Sequence, residues 1–102
     1  MPKQYKGDQM LPQRQKQKYE EFFESTAKNG ILDKNTTIMI QLAASFSIGC
    51  YPWMEYSFGV AKENGITEEE IGAVQSIAMV VSAGRIREQF KQVRESMGTD
   101  GK

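Results

Sequence analysis

Residues Leu32 to Val74 read LDKNTTIMIQLAASFSIGCYPWMEYSFGVAKENGITEEEIGAV, and the punctuation of this stretch decides the fold. Asp33 is a good helix N-cap, because its carboxylate accepts from the unpaired N–H groups of a first turn. From Ile38 the run IMIQLAASFSIGC is apolar on nearly every side, the pattern of a helix surrounded by protein, so it is the expected central helix. Gly49 ends it. Pro52 suits the first turn of the next helix, where its missing N–H has no intrahelical partner. A third helix therefore starts near Tyr51 and stops at Asn64-Gly65. Then Ile66-Thr67-Glu68-Glu69-Glu70-Ile71 carries a capping box, Thr67 with Glu70, and a hydrophobic staple, Ile66 with Ile71.

Upstream of this stretch Tyr19, Phe22, Phe23 and Ala27 fall at helical spacing between Gln13 and Lys28, and Asn29-Gly30 supplies a stop. Downstream, Ile71, Val74, Ile77, Ala78 and Val81 are expected to face inward on a fourth helix. On the same helix Gly72, Ala73, Ser76, Ser82 and Ala83 are small enough to let a neighbouring helix approach closely. Gly84 is expected to break or bend it, and Ile86, Phe90, Val93 and Met97 then recur as the amphipathic stripe of a fifth helix. The phrases AKNGILD (27–33) and AKENGIT (61–67) repeat one helix–turn–helix joint, which reflects shared capping chemistry rather than a repeat architecture. The expectation is an all-α, compact bundle of about five helices in one domain, residues 13–97. A polar N-terminal arm, 1–12, and a C-terminal tail, 98–102, flank it.

A chain of 102 residues has room for one core, and 39% hydrophobic with 25% charged residues is ordinary for a folded domain. Thirteen basic and thirteen acidic side chains cancel, so no net field draws the chain to nucleic acid or to an anionic membrane. The start MPKQYKGDQM lacks the apolar run of a signal peptide, and the longest apolar stretch is too short and too interrupted to span a bilayer. Cys50 is the single cysteine, which excludes an intramolecular disulfide and fits a reducing compartment, so the cytoplasm is the expected location. The absence of histidine removes the usual general base near neutrality, the Ser-His and Cys-His pairings and the commonest metal ligand. No cofactor and no metal is expected.

The reactive-looking residue is Cys50, in Gly49-Cys50-Tyr51-Pro52-Trp53, just ahead of a helix whose unpaired N–H groups and dipole favour negative charge. Cysteines so placed can have pKa values well under the usual ~8.5, which raises the thiolate fraction that attacks a peroxide or a disulfide. Two readings stay open: Cys50 as nucleophile, or Cys50 as a small buried hydrophobe. Glu55 and Tyr56, within a turn or two, are candidate proton-transfer groups, or solvated and interfacial side chains. Trp53, Met54, Tyr56 and Phe58 form an aromatic-rich turn that could be a pocket wall, part of the core or a subunit interface, and the interface is the preferred reading. The glutamines and lysines of 13–18 are followed at once by Glu20, Glu21 and Glu24, which makes a mixed solvated face and not a nucleic-acid patch.

The Leu-Asp start, the apolar helix ending in Gly-Cys, the Ala-Lys-x-x-Gly helix end and the following Gly-Ile-Thr-Glu-Glu-Glu-Ile together resemble the core of the carboxymuconolactone decarboxylase and alkylhydroperoxidase AhpD-like superfamily. The resemblance implies an all-helical protein assembled as a trimer or hexamer. In AhpD-type members a Cys-x-x-Cys pair at a helix start reduces peroxides or disulfides, with a glutamate and a histidine relaying protons. Carried over, Cys50 matches the first cysteine; the second falls on Trp53, the histidine on Ser57 and the glutamate on Ile38. A cycle that closes an internal disulfide is therefore closed to this chain. Thiol chemistry would pass through a sulfenic acid resolved by an external thiol reductant or by Cys50 of another subunit. Three functions follow for testing: a one-cysteine, AhpD-like antioxidant peroxidase; a non-catalytic oligomeric scaffold or binding module; and a decarboxylase-type enzyme in which Glu55 or Tyr56 replaces the lost groups.

Overall fold

The Asp33 carboxylate accepts from the backbone N–H and from the hydroxyl of Thr36, each at 2.8 Å, and this cap opens the central helix. The computed structural model describes residues 10–98, and within them four helices follow in order. They are α1 (Gln13–Ala27), α2 (Lys34–Ile48), α3 (Tyr51–Glu63) and α4 (Glu68–Ser96). Each joint has a local cause. Asn29 ties the first one: its side-chain oxygen accepts from the N–H groups of Ile31 and Leu32, and its amide donates to the Thr26 carbonyl and to Thr37 Oγ1. Gly49 caps α2 in the left-handed conformation, φ 70°, which glycine adopts without the steric cost of a Cβ. At the last joint Thr67 and Glu70 form the reciprocal capping box, while Ile66 and Ile71 enter the same core cluster. Most of the 1–12 arm and of the 98–102 tail lies outside the described residues.

The helix α2 sits at the centre, packed chiefly on α3 and α4 and more lightly on α1. Ile38 and Leu42 of α2 meet Ala61 of α3, Ile66 of the joint, and Ile71 and Val74 of α4. Met39, Ala43, Phe46 and Val60 close around them. Outside this cluster, Phe23 of α1 packs against Trp53 and Tyr56 of α3, with ring centroids 5.3 and 5.9 Å away in tilted and edge-on geometry. Trp53 and Tyr56, expected at a subunit interface, are thus half-buried by the chain's own first helix.

The sequence reading needs three corrections. Helices four and five are one helix of 29 residues, and Gly84 neither breaks nor bends it out of helical assignment. The residues around Gly84 explain this: Ala83, Arg85, Arg87, Glu88 and Gln89 are good helix formers, and one glycine costs only ~1 kcal/mol against alanine. Ile77 and Val81, expected inside, are exposed, at 60% and 62%. The neighbour of α4 within the chain is chiefly α2, so it buries only the narrow stripe of Ile71, Val74 and Ala78. Finally, α2 is not enclosed, because Ile40, Ala44 and Ile48, one turn apart, form an exposed row along its open flank.

Candidate functional site around Cys50

Cys50 is the N-cap residue of α3, with Pro52 in the first turn as the sequence requires. Its backbone is committed on both sides: the N–H donates to the Ser45 carbonyl at 3.0 Å, and the carbonyl accepts from the Met54 N–H at 2.9 Å. Its side chain makes no capping hydrogen bond, and the residue is half-buried with a free thiol. The thiol lies between two helix ends of opposite sign. The α3 N-terminus favours negative charge there, whereas the C-terminal carbonyls of α2, two residues back, oppose it. The sequence pointed to the first field only, because the second depends on how sharply the chain turns at Gly49.

Glu55 and Tyr56, adjacent on α3, leave it about 100° apart and both turned away from Cys50. At 100° per residue they lie about 140° and 120° around the helix from Cys50, in opposite directions. Glu55 is exposed and borders a groove of about 310 Å³ with Leu42, Phe46, Tyr51, Met54 and Phe58. Tyr56 turns instead to Phe23 and Trp53, 5.3 Å from the latter ring. Its phenol is pushed above the ordinary value, first by burial and then by the carboxylates of Glu24 and Glu63, so it keeps its proton near neutrality. The fold therefore places the three sequence candidates on three faces rather than around one reacting atom.

A second groove of about 490 Å³ shares Phe46 and Met54 with the first and continues along α4 past Met79, Ser82 and Ile86. Both are apolar, with Glu55 the one charged side chain on either wall. Among the described residues no group of three or more Cys, Asp or Glu side chains is placed to hold a metal ion. No described helix is long and apolar enough to cross a membrane.

Residues 15–95 match the Carboxymuconolactone decarboxylase family. The chain belongs to that family. No curated protein and no solved structure matches it. The three positions at which the AhpD-type resemblance would place the second cysteine and the two relay groups can now be located in this family member. Ile38 is a core residue, 4% exposed. Trp53 belongs to the aromatic cluster on α1. Ser57 is completely buried, and its hydroxyl has no hydrogen-bond partner. All three are packing positions. Ser57 is the residue the sequence reading passed over; a serine between Tyr56 and Phe58 carries no local signal that its hydroxyl is shut inside the α2–α3 contact.

Proposed function

We propose that this carboxymuconolactone decarboxylase family member is a thiol-dependent antioxidant protein, a one-cysteine peroxidase with Cys50 as nucleophile. The observation that carries the reading is the free thiol of Cys50, a half-buried residue at the start of α3 whose side chain is not used as a cap. The Cys50 sulfur attacks the peroxide, the O–O bond breaks, the sulfur becomes a sulfenic acid and the other oxygen leaves as an alcohol or water. An external thiol condenses with the sulfenic acid, releasing water and forming a mixed disulfide. A second thiol attacks that bond, restoring Cys50 and carrying away the oxidised reductant as a disulfide. A reducing compartment such as the cytoplasm supplies that thiol. Glu55 and Tyr56 have no step in this cycle.

The test is peroxide treatment of the folded protein followed by intact mass, with and without a sulfenic-acid trap and with Cys50→Ser as control. Rapid trapping at Cys50 that added thiol reverses is the expected result; a thiol left unmodified while the protein is folded would overturn the proposal.

One observation favours the scaffold reading instead. The residues at the two proton-relay positions, Ile38 and Ser57, and at the second-cysteine position, Trp53, are committed to packing, and none of them supplies an acid, a base or a second thiol. On that reading Cys50→Ser leaves folding, assembly and partner binding unchanged, and the same mass experiment separates the two.

A further inference from the structure

The helix α1 begins without the support that opens α2 and α4. Its N-cap position is Pro12, whose side chain gives the first turn no hydrogen bond. Arg14 stands in that turn, where the helix dipole disfavours a positive charge, and no acidic residue accompanies it. Fifteen residues that start in this way form a marginal helix in water, so α1 takes its order from what it packs on. Its inward stripe is Lys16, Tyr19, Phe23 and Ala27, of which Phe23 alone is buried. The core cluster is built by α2, α3, the Ile66 joint and α4, and α1 adds no residue to it. What holds α1 down is the Phe23 ring against Trp53 and Tyr56, together with Asn29 Nδ2 donating to Thr37 Oγ1 at 3.0 Å. The flank beside these contacts is loosely filled. One hollow of about 180 Å³ lies between Thr26 and Asn29 on one side and Thr37 and Ile40 on the other, and a second of about 210 Å³ runs from Gln41 to Trp53. A close-packed contact leaves few voids of that size.

We infer that α1 is a hinged strap, latched by Phe23, that opens while α2, α3 and α4 stay folded and so sets access to the Trp53 side of Cys50. The pivot is residues 30–32. Gly30 has φ 74°, and Ile31 beyond it is 88% exposed, so the link is not packed into the core. The bonds from the Asn29 side-chain oxygen to the N–H groups of Ile31 and Leu32 are local and survive the swing, whereas the Thr37 bond and the two ring contacts are broken by it. Trp53 lies one turn along α3 from Cys50 and about 60° around the helix, so lifting Phe23 away frees the side chain that flanks the thiol. The core of α2, α3 and α4 keeps every member of its cluster in the open form. The inference concerns access to the thiol and is independent of the reaction proposed for it.

The experiment is amide hydrogen exchange read by mass spectrometry, with iodoacetamide labelling of Cys50, on the full chain and on two variants. Phe23→Ala removes the latch. Pro12→Ser combined with Gln15→Glu installs a capping box at the start of α1 and strengthens the strap. In the unmodified chain the amides of 17–27 are expected to exchange roughly a hundredfold faster than those of 38–46, because a local opening is cheaper than global unfolding. Phe23→Ala is expected to remove the remaining protection of α1, to shift the emission of Trp53 to the red and to speed Cys50 labelling severalfold, with exchange in α2, α3 and α4 unchanged. The capping-box variant is expected to slow both α1 exchange and Cys50 labelling. Exchange of α1 at the rate of α2 in the unmodified chain would overturn the inference, since α1 would then open only with the whole molecule. Loss of protection in α2, α3 and α4 together with α1 in Phe23→Ala would do the same. Labelling of Cys50 that follows neither variant would overturn the role of the strap in access to the thiol. No peroxide enters these measurements, so a chain that forms no sulfenic acid can still show the strap.

Discussion

Ser57 shows how a single hydroxyl can be set against the rest of its surroundings. Its oxygen is buried at the α2–α3 contact and unpaired, and an unmade hydrogen bond of that kind costs about 1–3 kcal/mol. Ser57→Ala removes the polar atom and keeps the shape, so a gain of roughly 1 kcal/mol is expected, read as a melting temperature higher by roughly 4–8 °C. A lower melting temperature would mean that the hydroxyl has a partner after all. Asp33 makes the opposite case, a polar group fully used. The Thr36 backbone N–H, and then the Thr36 hydroxyl, hold its carboxyl below the ordinary value. A depressed folded pKa means that the unfolded chain binds more protons as pH falls. The stabilisation is therefore complete above the unfolded value of about 3.9 and is lost as pH drops through the lower, folded one. The urea midpoint should fall between about pH 6 and pH 2, and Asp33→Asn should flatten part of that fall. Glu24, held low by Lys28 at 2.8 Å, contributes in the same direction, so the difference between wild type and Asp33→Asn isolates the cap. An identical slope in the two proteins would exclude Asp33 as a source.

At the scale of elements, the caps were legible and the continuity of α4 was not. Asp33, Gly49, Pro52 and the Thr67–Glu70 box act on groups within four residues of themselves, so the sequence window contains both partners. Gly84 is different, because a mid-helix glycine changes the odds without deciding the outcome. Its Cβ position is open, with nothing within 4 Å, and its φ is not left-handed. Gly84→Ala should thus stabilise the protein by up to about 1 kcal/mol and raise the helical circular-dichroism signal. If Gly84 instead joined two separate helices, the substitution would bring no gain.

For the whole molecule, a 29-residue α4 that is buried only along part of its first half is the dominant feature. A melting temperature that rises with protein concentration would report association of copies through it, since association favours the folded chain by mass action; a melting temperature independent of concentration would argue against assembly. The exposed row of Ile40, Ala44 and Ile48 on α2 is a second apolar surface, on another flank, that no described residue covers.

By itself the sequence determined the helical class, the three joints and their caps, the central place of α2, the family, and Cys50 as the single thiol at a helix start. All of these rest on residues close together in the chain or on residue types present or absent. Only the tertiary structure decided that Ile77 and Val81 face outward, that Tyr56 packs on Phe23 of α1 while Glu55 borders an open groove, that Ser57 is buried with no hydrogen-bond partner among the described residues, and that no residue of α4 from Ala83 to Ser96 is buried. Burial is set by how many neighbours a helix finds. Apolar periodicity reports that a face seeks a partner, and gives no information on whether that partner lies in the same chain.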